Sequence, residues 1–175
     1  MIQTVELVLD DDLDRAVRDE WELLRAADLP SQARHTGPSN APHVTLAVAD
    51  AIDDVAESAL RAAGLVAGGH IRLGGLLVFP GRRSVLARSV VPTDALLRTH
   101  RTVQDALQGA PGRPDTTAVD GWTPHVTLAR RLDPDQLAAA LALLADRPRE
   151  LVGTIRAVRR WDADARATWD VAGTS

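Results

Sequence analysis

The chain carries one five-residue stretch twice, Pro42-His43-Val44-Thr45-Leu46 and Pro124-His125-Val126-Thr127-Leu128. Each copy reads as the start of a β-strand, because proline is tolerated at a strand's first residue and Val, Thr and Leu suit a pleated surface. Side chains alternate along a strand, so His43 and Thr45 share one face while Val44 and Leu46 take the other. The second copy sets His125 and Thr127 against Val126 and Leu128 in the same way. Each strand therefore presents an imidazole and a hydroxyl about 7 Å apart on one side, with apolar anchors on the other. A polar pair repeated on two strands points to one shared site.

The two histidines stand 82 positions apart, and the same offset relates the elements around them. A strand expected over residues 3–9 maps onto 85–91, and a helix starting near 12 maps onto one near 94. The helix from 52 falls on 134, and the strand at 70–79 on 152–161. Each half then reads strand, helix, His-Thr strand, helix, strand, with a further strand at 166–171. We expect an internal duplication within a single two-lobed domain spanning residues 1–175, its equivalent strands facing one cleft about a pseudo-two-fold axis. Local signals support the order. Asp10 to Asp12 offer an N-cap and first-turn carboxylates ahead of Leu13, Val17, Trp21 and Leu24 at helical spacing. Asp50 is read as the cap of the second helix, with Ile52, Val55, Ala59 and Leu60 on its buried face. Pro80-Gly81-Arg82-Arg83 is a hairpin signal, Thr93 or Asp94 opens a third helix, and Asp133-Pro134 pairs an N-cap with Pro at the first helical position.

In chemical terms, an in-line displacement at phosphorus needs a proton taken from the attacking oxygen and one given to the leaving oxygen, on opposite sides. Two imidazoles divide those roles near neutral pH. The Thr45 and Thr127 hydroxyls are placed to donate to the non-bridging oxygens, and no metal is required. Composition narrows the alternatives. With no cysteine among 175 residues, disulfides, thiol nucleophiles and zinc-thiolate sites are excluded. There is no lysine, so all twenty basic residues are Arg and a Walker-type phosphate loop is impossible. No Gly-x-Ser-x-Gly elbow is present either. A net charge of −4 argues against an extended nucleic-acid footprint and favours a small anionic substrate or an RNA end. There is no basic-then-apolar start, and the longest apolar run, Leu137 to Ala145, is too short to span a bilayer, so the expected location is the cytoplasm without membrane attachment.

The paired motifs, His43-Val-Thr-Leu and His125-Val-Thr-Leu, resemble those of the two-histidine (2H) phosphoesterase superfamily. Within it the chain looks most like the 2′-5′ RNA ligase and RNA 2′,3′-cyclic phosphodiesterase family, and the extended second motif, Pro124-His-Val-Thr-Leu-Ala-Arg130, is particularly similar. The resemblance implies a bilobal α+β fold with two antiparallel sheets, flanked by helices, around a central cleft. It implies opening of a 2′,3′-cyclic phosphate to a 2′-phosphomonoester, with 2′-5′ joining as the reverse in some members. By position, His43 and His125 are the acid and base, in an order left open. Thr45 and Thr127 are the phosphate ligands, and Arg130 is an extra phosphate contact. No cofactor is implied, and a monomer is expected. The first motif departs from the second, having Ala47-Val48 where Arg130 would be matched. Candidate substrates are RNA ends, mononucleoside cyclic phosphates and a cyclic phosphate of ADP-ribose.

The other candidates have plainer readings. His100 lies on the apolar face of a helix and is expected to be structural, while His70 has no evident partner. His35 reads as a solvated loop residue, with the cleft mouth as its alternative. Trp122 is expected to pack a lobe, with base stacking as the alternative. Arg72 and Arg156 are candidates for the cleft wall, though strand register is not readable to one residue. Two rival functions are weighed. A metal site on His43, His125 and His35 would need a carboxylate beside the motifs, where threonines stand. A non-catalytic nucleotide- or phosphoester-binding module on the same fold is the second.

Overall fold

A computed structural model describes residues 2–173. The order is β1 (Gln3–Leu9), α1 (Asp11–Ala26), β2 (His43–Ala49), α2 (Asp54–Ala62), β3 (His70–Phe79), β4 (Ser84–Val90), α3 (Asp94–Ala106), β5 (His125–Leu132), α4 (Pro134–Leu144), β6 (Leu151–Asp162) and β7 (Ala167–Gly173). Asp10, Thr93 and Asp133 cap α1, α3 and α4 as their sequence positions suggest, and Asp133 forms a full capping box with Gln136. The second helix corrects the sequence reading. Asp53, not Asp50, accepts from the Ala56 N–H and caps α2. The later start turns the helix, so Ala56 and Leu60 face the core while Val55 is 78% exposed. Ile52 is buried from the segment ahead of the helix, and the Asp50 N–H instead bonds the Pro111 carbonyl.

The α+β architecture is built on antiparallel pairing throughout. One sheet half contains β2, β1, β6 and β7, the other β3, β4 and β5, and the strand order β2-β1-β6-β3-β4-β5 joins them into a seven-stranded sheet. The junction is β6, whose residues 155–162 pair with β1 and whose residues 151–154 pair with β3. Each half exchanges its last strand with the other: β3 pairs with β4, and β6 with β1. At the crossing, His70 pairs with Thr154 and Arg72 with Val152; an 82-residue shift of each partner carries the first pair onto the second. The helices cross as well, since α1 packs on β5 and α3 on β2. A buried ion pair, Glu20 of α1 with Arg88 of β4, fastens this crossing, and Arg88 also donates to the Gly74 carbonyl at 3.1 Å. The core is Val5, Leu7 and Leu9 of β1 with Val44, Leu46, Val126 and Leu128 of the two motif strands, joined by Leu13, Val17, Leu24, Val103 and Leu107.

Candidate active site

Both motif strands bulge at the same residue. Val5 and Glu6 pair with Ala47 and Thr45, leaving Leu46 as the extra residue, and Leu86 and Ala87 pair with Ala129 and Thr127, leaving Leu128. The bulge follows the His-x-Thr segment, so in each copy the imidazole and hydroxyl precede a local kink. The strands also begin alike. His43 Nδ1 donates to the Ala41 carbonyl at 2.7 Å, and His125 Nδ1 donates to the Thr123 carbonyl at 2.8 Å. A carbonyl only accepts, so both rings carry a proton on Nδ1 and leave Nε2 for chemistry.

The threonine carbonyls are held from across the molecule. Trp21 Nε1 of α1 donates to the Thr127 carbonyl at 3.0 Å, and Trp122 Nε1 donates to that of Thr45 at 2.9 Å. Each indole belongs to the half opposite the motif it holds. Behind Trp122 the ring of His100 stacks at 3.9 Å, with Nε2 bonded to the Thr117 carbonyl, so both residues have the structural roles expected of them.

Residues paired directly across strands share a face. On the first half Thr45, Glu6 and Arg159 form such a row, and on the second half the row is Thr127, Ala87 and Leu77. The two histidines consequently sit in different surroundings. Glu6 Oε1 lies 3.5 Å from His43 Nε2, Arg159 Nε donates to Glu6 Oε2 at 2.9 Å, and Thr4 Oγ1 donates to Oε1 at 2.7 Å. Burial would raise the Glu6 carboxyl, but the His43 and Arg159 charges and these hydrogen bonds outweigh it and hold Glu6 below the usual carboxylate range. His125 instead rests on the Phe79 ring, 4.7 Å between centroids. Burial, then the charges of Arg130 and His43, lower its imidazole below the ordinary value against the pull of the Thr123 carbonyl.

A cavity of about 480 Å³ opens beside these groups, lined by His43, Thr127, Arg130, Glu6, Arg159, Trp21 and Trp161 together with the segment from Gln32 to Ala41. His125 and Thr45 are not among its lining residues, although His125 is close enough for the His43 and Arg130 charges to act on it. His35 is exposed and lines this cavity, at the mouth rather than free in solvent. His70 is exposed and lines no cavity near the motifs. Arg72 pairs with Glu150 at 4.0 Å and Arg156 is exposed, and neither reaches the cavity. The arginine that does is Arg159, three residues further along β6. Glu6 and Arg159 are the residues sequence reasoning missed. The signal was Glu6 itself, a lone carboxylate inside Thr4-Val5-Glu6-Leu7-Val8, which cannot be buried without a cationic partner. Among the described residues no group of three His, Cys, Asp or Glu side chains is disposed to hold a metal ion.

A family model described as the 2′-5′ RNA ligase superfamily matches residues 12–167. The chain belongs to that superfamily. Its members act on phosphodiester bonds, and this chain shares their architecture along nearly its whole length. The crystal structure of TT0787 from Thermus thermophilus is similar, with 18% identity, a TM-score of 0.60, and coverage of 97% of this chain and 94% of that one. Usb1 of Kluyveromyces marxianus with uridine monophosphate shares 14% identity at a TM-score of 0.55, each chain covered to 97%. LigT of Escherichia coli complexed with 3′-AMP shares 15% at 0.50, covering 96% of this chain and 95% of that one. At these identities the likeness is one of fold. No curated protein sequence matches the chain.

Proposed function

We propose that this chain is a metal-independent phosphodiesterase that opens a 2′,3′-cyclic phosphate to a 2′-phosphomonoester, as one two-lobed domain with an internal repeat. The observation that carries the reading is the matched pair of imidazoles. Each has Nδ1 tied to the carbonyl two residues upstream, and each is within electrostatic reach of the other.

The surroundings divide the roles. Both ring nitrogens of His43 face acceptors, the Ala41 carbonyl and the ionised Glu6 carboxylate, an arrangement satisfied when the ring carries both protons. His125 forms no carboxylate contact among the described residues, pairs with Ser89 and rests on the Phe79 ring, half-buried surroundings that favour the neutral ring. His125 is therefore the general base and His43 the general acid. His125 Nε2 takes a proton from water, the water oxygen attacks phosphorus, the P–O3′ bond breaks, and the His43 Nε2 proton passes to O3′. Thr45, Thr127 and Arg130 hold the non-bridging oxygens as charge builds. The same steps with a 5′-hydroxyl in place of water, attacking phosphorus as the P–O3′ bond breaks, give a 2′-5′ linkage. The bound uridine monophosphate and 3′-AMP of the two similar structures support a ligand of nucleotide size.

The test is hydrolysis of a nucleoside 2′,3′-cyclic phosphate in EDTA. Wild type should yield the 2′-phosphate, and His43→Ala and His125→Ala should each lower kcat by about 10²- to 10⁴-fold. A substrate with sulfur in place of O3′ has a leaving group that needs no proton. It should restore His43→Ala but not His125→Ala; the reverse pattern would exchange the roles. If wild type is inert on mononucleotides and cyclic-phosphate-ended RNA alike but still binds them, the chain is a binding module on this fold.

A further inference from the structure

A second cavity, about 610 Å³ in volume, adjoins the first and shares Gln32, His35 and Arg130 with it. Its other charged residues are Arg34, Arg131 and Asp28. Arg34 is offset by Asp28 at 2.7 Å, whereas Arg130 and Arg131 form no ion pair among the described residues. Three guanidinium groups against one carboxylate make this groove locally cationic in a chain whose net charge is −4.

The backbone is bent to achieve it. Neighbouring strand residues normally face opposite sides. On β5, however, Ser84 pairs with Leu132 and Leu86 with Ala129, so Arg130 and Arg131 together oppose the single Val85. Arg131 takes φ 64°, a left-handed conformation that a side-chain-bearing residue adopts at a cost of about 1 kcal/mol or more. This second bulge brings two adjacent arginines to one cavity. Protection of an edge strand does not explain it. The corresponding segment of β2, also at the sheet's edge, runs on in regular register, with Ala47, Val48 and Ala49 opposite Val5, Thr4 and Gln3. A glycine would adopt φ 64° freely but would bring no charge.

Resting on the cyclic-phosphate reading above, we propose that this groove is an anion subsite for a second phosphate of the substrate, held by Arg34 and Arg131 beyond the phosphate that reacts. The preferred substrate is thus a nucleotide with a cyclic phosphate at one end and a further phosphate on the 5′ side. Arg130, common to both cavities, lies between the two anions. Guanidinium suits this task because it meets phosphate oxygens bidentately.

Three substrates built on one nucleoside test the proposal: the plain 2′,3′-cyclic phosphate, the same with a 5′-monophosphate, and a dinucleotide ending in the cyclic phosphate. We expect kcat/KM to rise at least tenfold with the second phosphate, and the ratio to fall towards one in the Arg34→Ala/Arg131→Ala double variant. A gain confined to the 5′-monophosphate identifies a terminal phosphate as the ligand, and one confined to the dinucleotide identifies a chain phosphodiester. Equal kcat/KM for all three, or a preference that survives the double variant, overturns the subsite. Because the ratio is internal to each protein, a general loss of folded enzyme cannot mimic the effect. Binding of a nucleoside 2′,5′-bisphosphate against the 2′-monophosphate, read by calorimetry, tests the groove without turnover. A tenfold tighter bisphosphate that needs Arg131 supports it even if hydrolysis fails, and equal affinities overturn it.

Discussion

Glu6 and Ala87 occupy matching places beside Thr45 and Thr127, and this single difference makes two identical motifs chemically unequal. The Glu6 carboxylate lies 3.5 Å from His43 Nε2, whereas His125 pairs with Ser89, and burial with the Arg130 and His43 charges lowers its imidazole. The sign of the resulting pH dependence follows. A base works when unprotonated, and lowering its pKa extends the working range to more acidic pH. The acidic limb of kcat/KM against pH should therefore fall below the ordinary imidazole value of about 6.5. Removing the cation in Arg130→Ala should move that limb up towards 6.5 while also raising KM. A limb that does not move when Arg130 is removed would take His125 out of the base role. At this scale the motif residues were fully legible, because His-x-Thr on a strand has only one way to share a face. Glu6 was legible as an oddity but not as a neighbour. Its pairing with Arg159 spans 153 residues of sequence, and no local period encodes it.

Most elements announced themselves through their ends. Asp10, Thr93 and Asp133 cap helices because each can offer an oxygen to an N–H two or three residues on, and a short capped segment with one apolar stripe has few other choices. The failure at α2 has the same root. Asp50 and Asp53 are equally able caps by residue type; the Asp53 carboxylate accepts from the Ala56 N–H, while the Asp50 N–H bonds the Pro111 carbonyl, a contact between distant loops that no local pattern encodes. The bulges were not legible either, since an extra residue in a strand leaves the apolar pattern of Val44, Leu46 and Ala47 unchanged in composition. Between elements, the buried Glu20–Arg88 pair is the contact that sequence could not supply and energetics cannot ignore. Glu20→Ala leaves a guanidinium without its counter-charge at 2% exposure and should cost about 3–5 kcal/mol in urea unfolding. The double replacement Glu20→Leu/Arg88→Met removes both charges and should cost less than the single change. If Glu20→Ala were as mild as a surface substitution, under about 1 kcal/mol, solvent must reach Arg88.

Across the whole molecule, the two halves are tied by exchange rather than by a flat interface. β3 and β6 cross, α1 and α3 each pack on the other half's motif strand, and each threonine carbonyl is held by an indole from the opposite half. The repeat in element order was readable from an offset, but the exchange was not, because pairing a half's last strand with its own first strand or with its partner's satisfies the same sequence. The exchange places His100 at a seam. It is 1% exposed, stacked on Trp122, and bonded to the Thr117 carbonyl, and Trp122 in turn holds Thr45. Burial lowers the His100 imidazole below its ordinary value, with Arg101 adding to the effect and backbone bonds to Thr117 and Leu46 opposing it. The unfolded chain therefore binds a proton at a pH where the folded chain still refuses one. Stability should be greatest above about pH 6.5 and fall as the pH drops from there towards the depressed folded value, by about 1.4 kcal/mol for each unit of depression. The half-buried His125, its imidazole also lowered, contributes with the same sign. His100→Gln keeps a donor for the Thr117 carbonyl and removes the titration, so its urea midpoint should lose less between pH 7.5 and 5.5 than wild type does. Equal losses of midpoint in the two proteins would mean that the ring is charged in the folded seam, and that some other group carries the acid sensitivity of the fold.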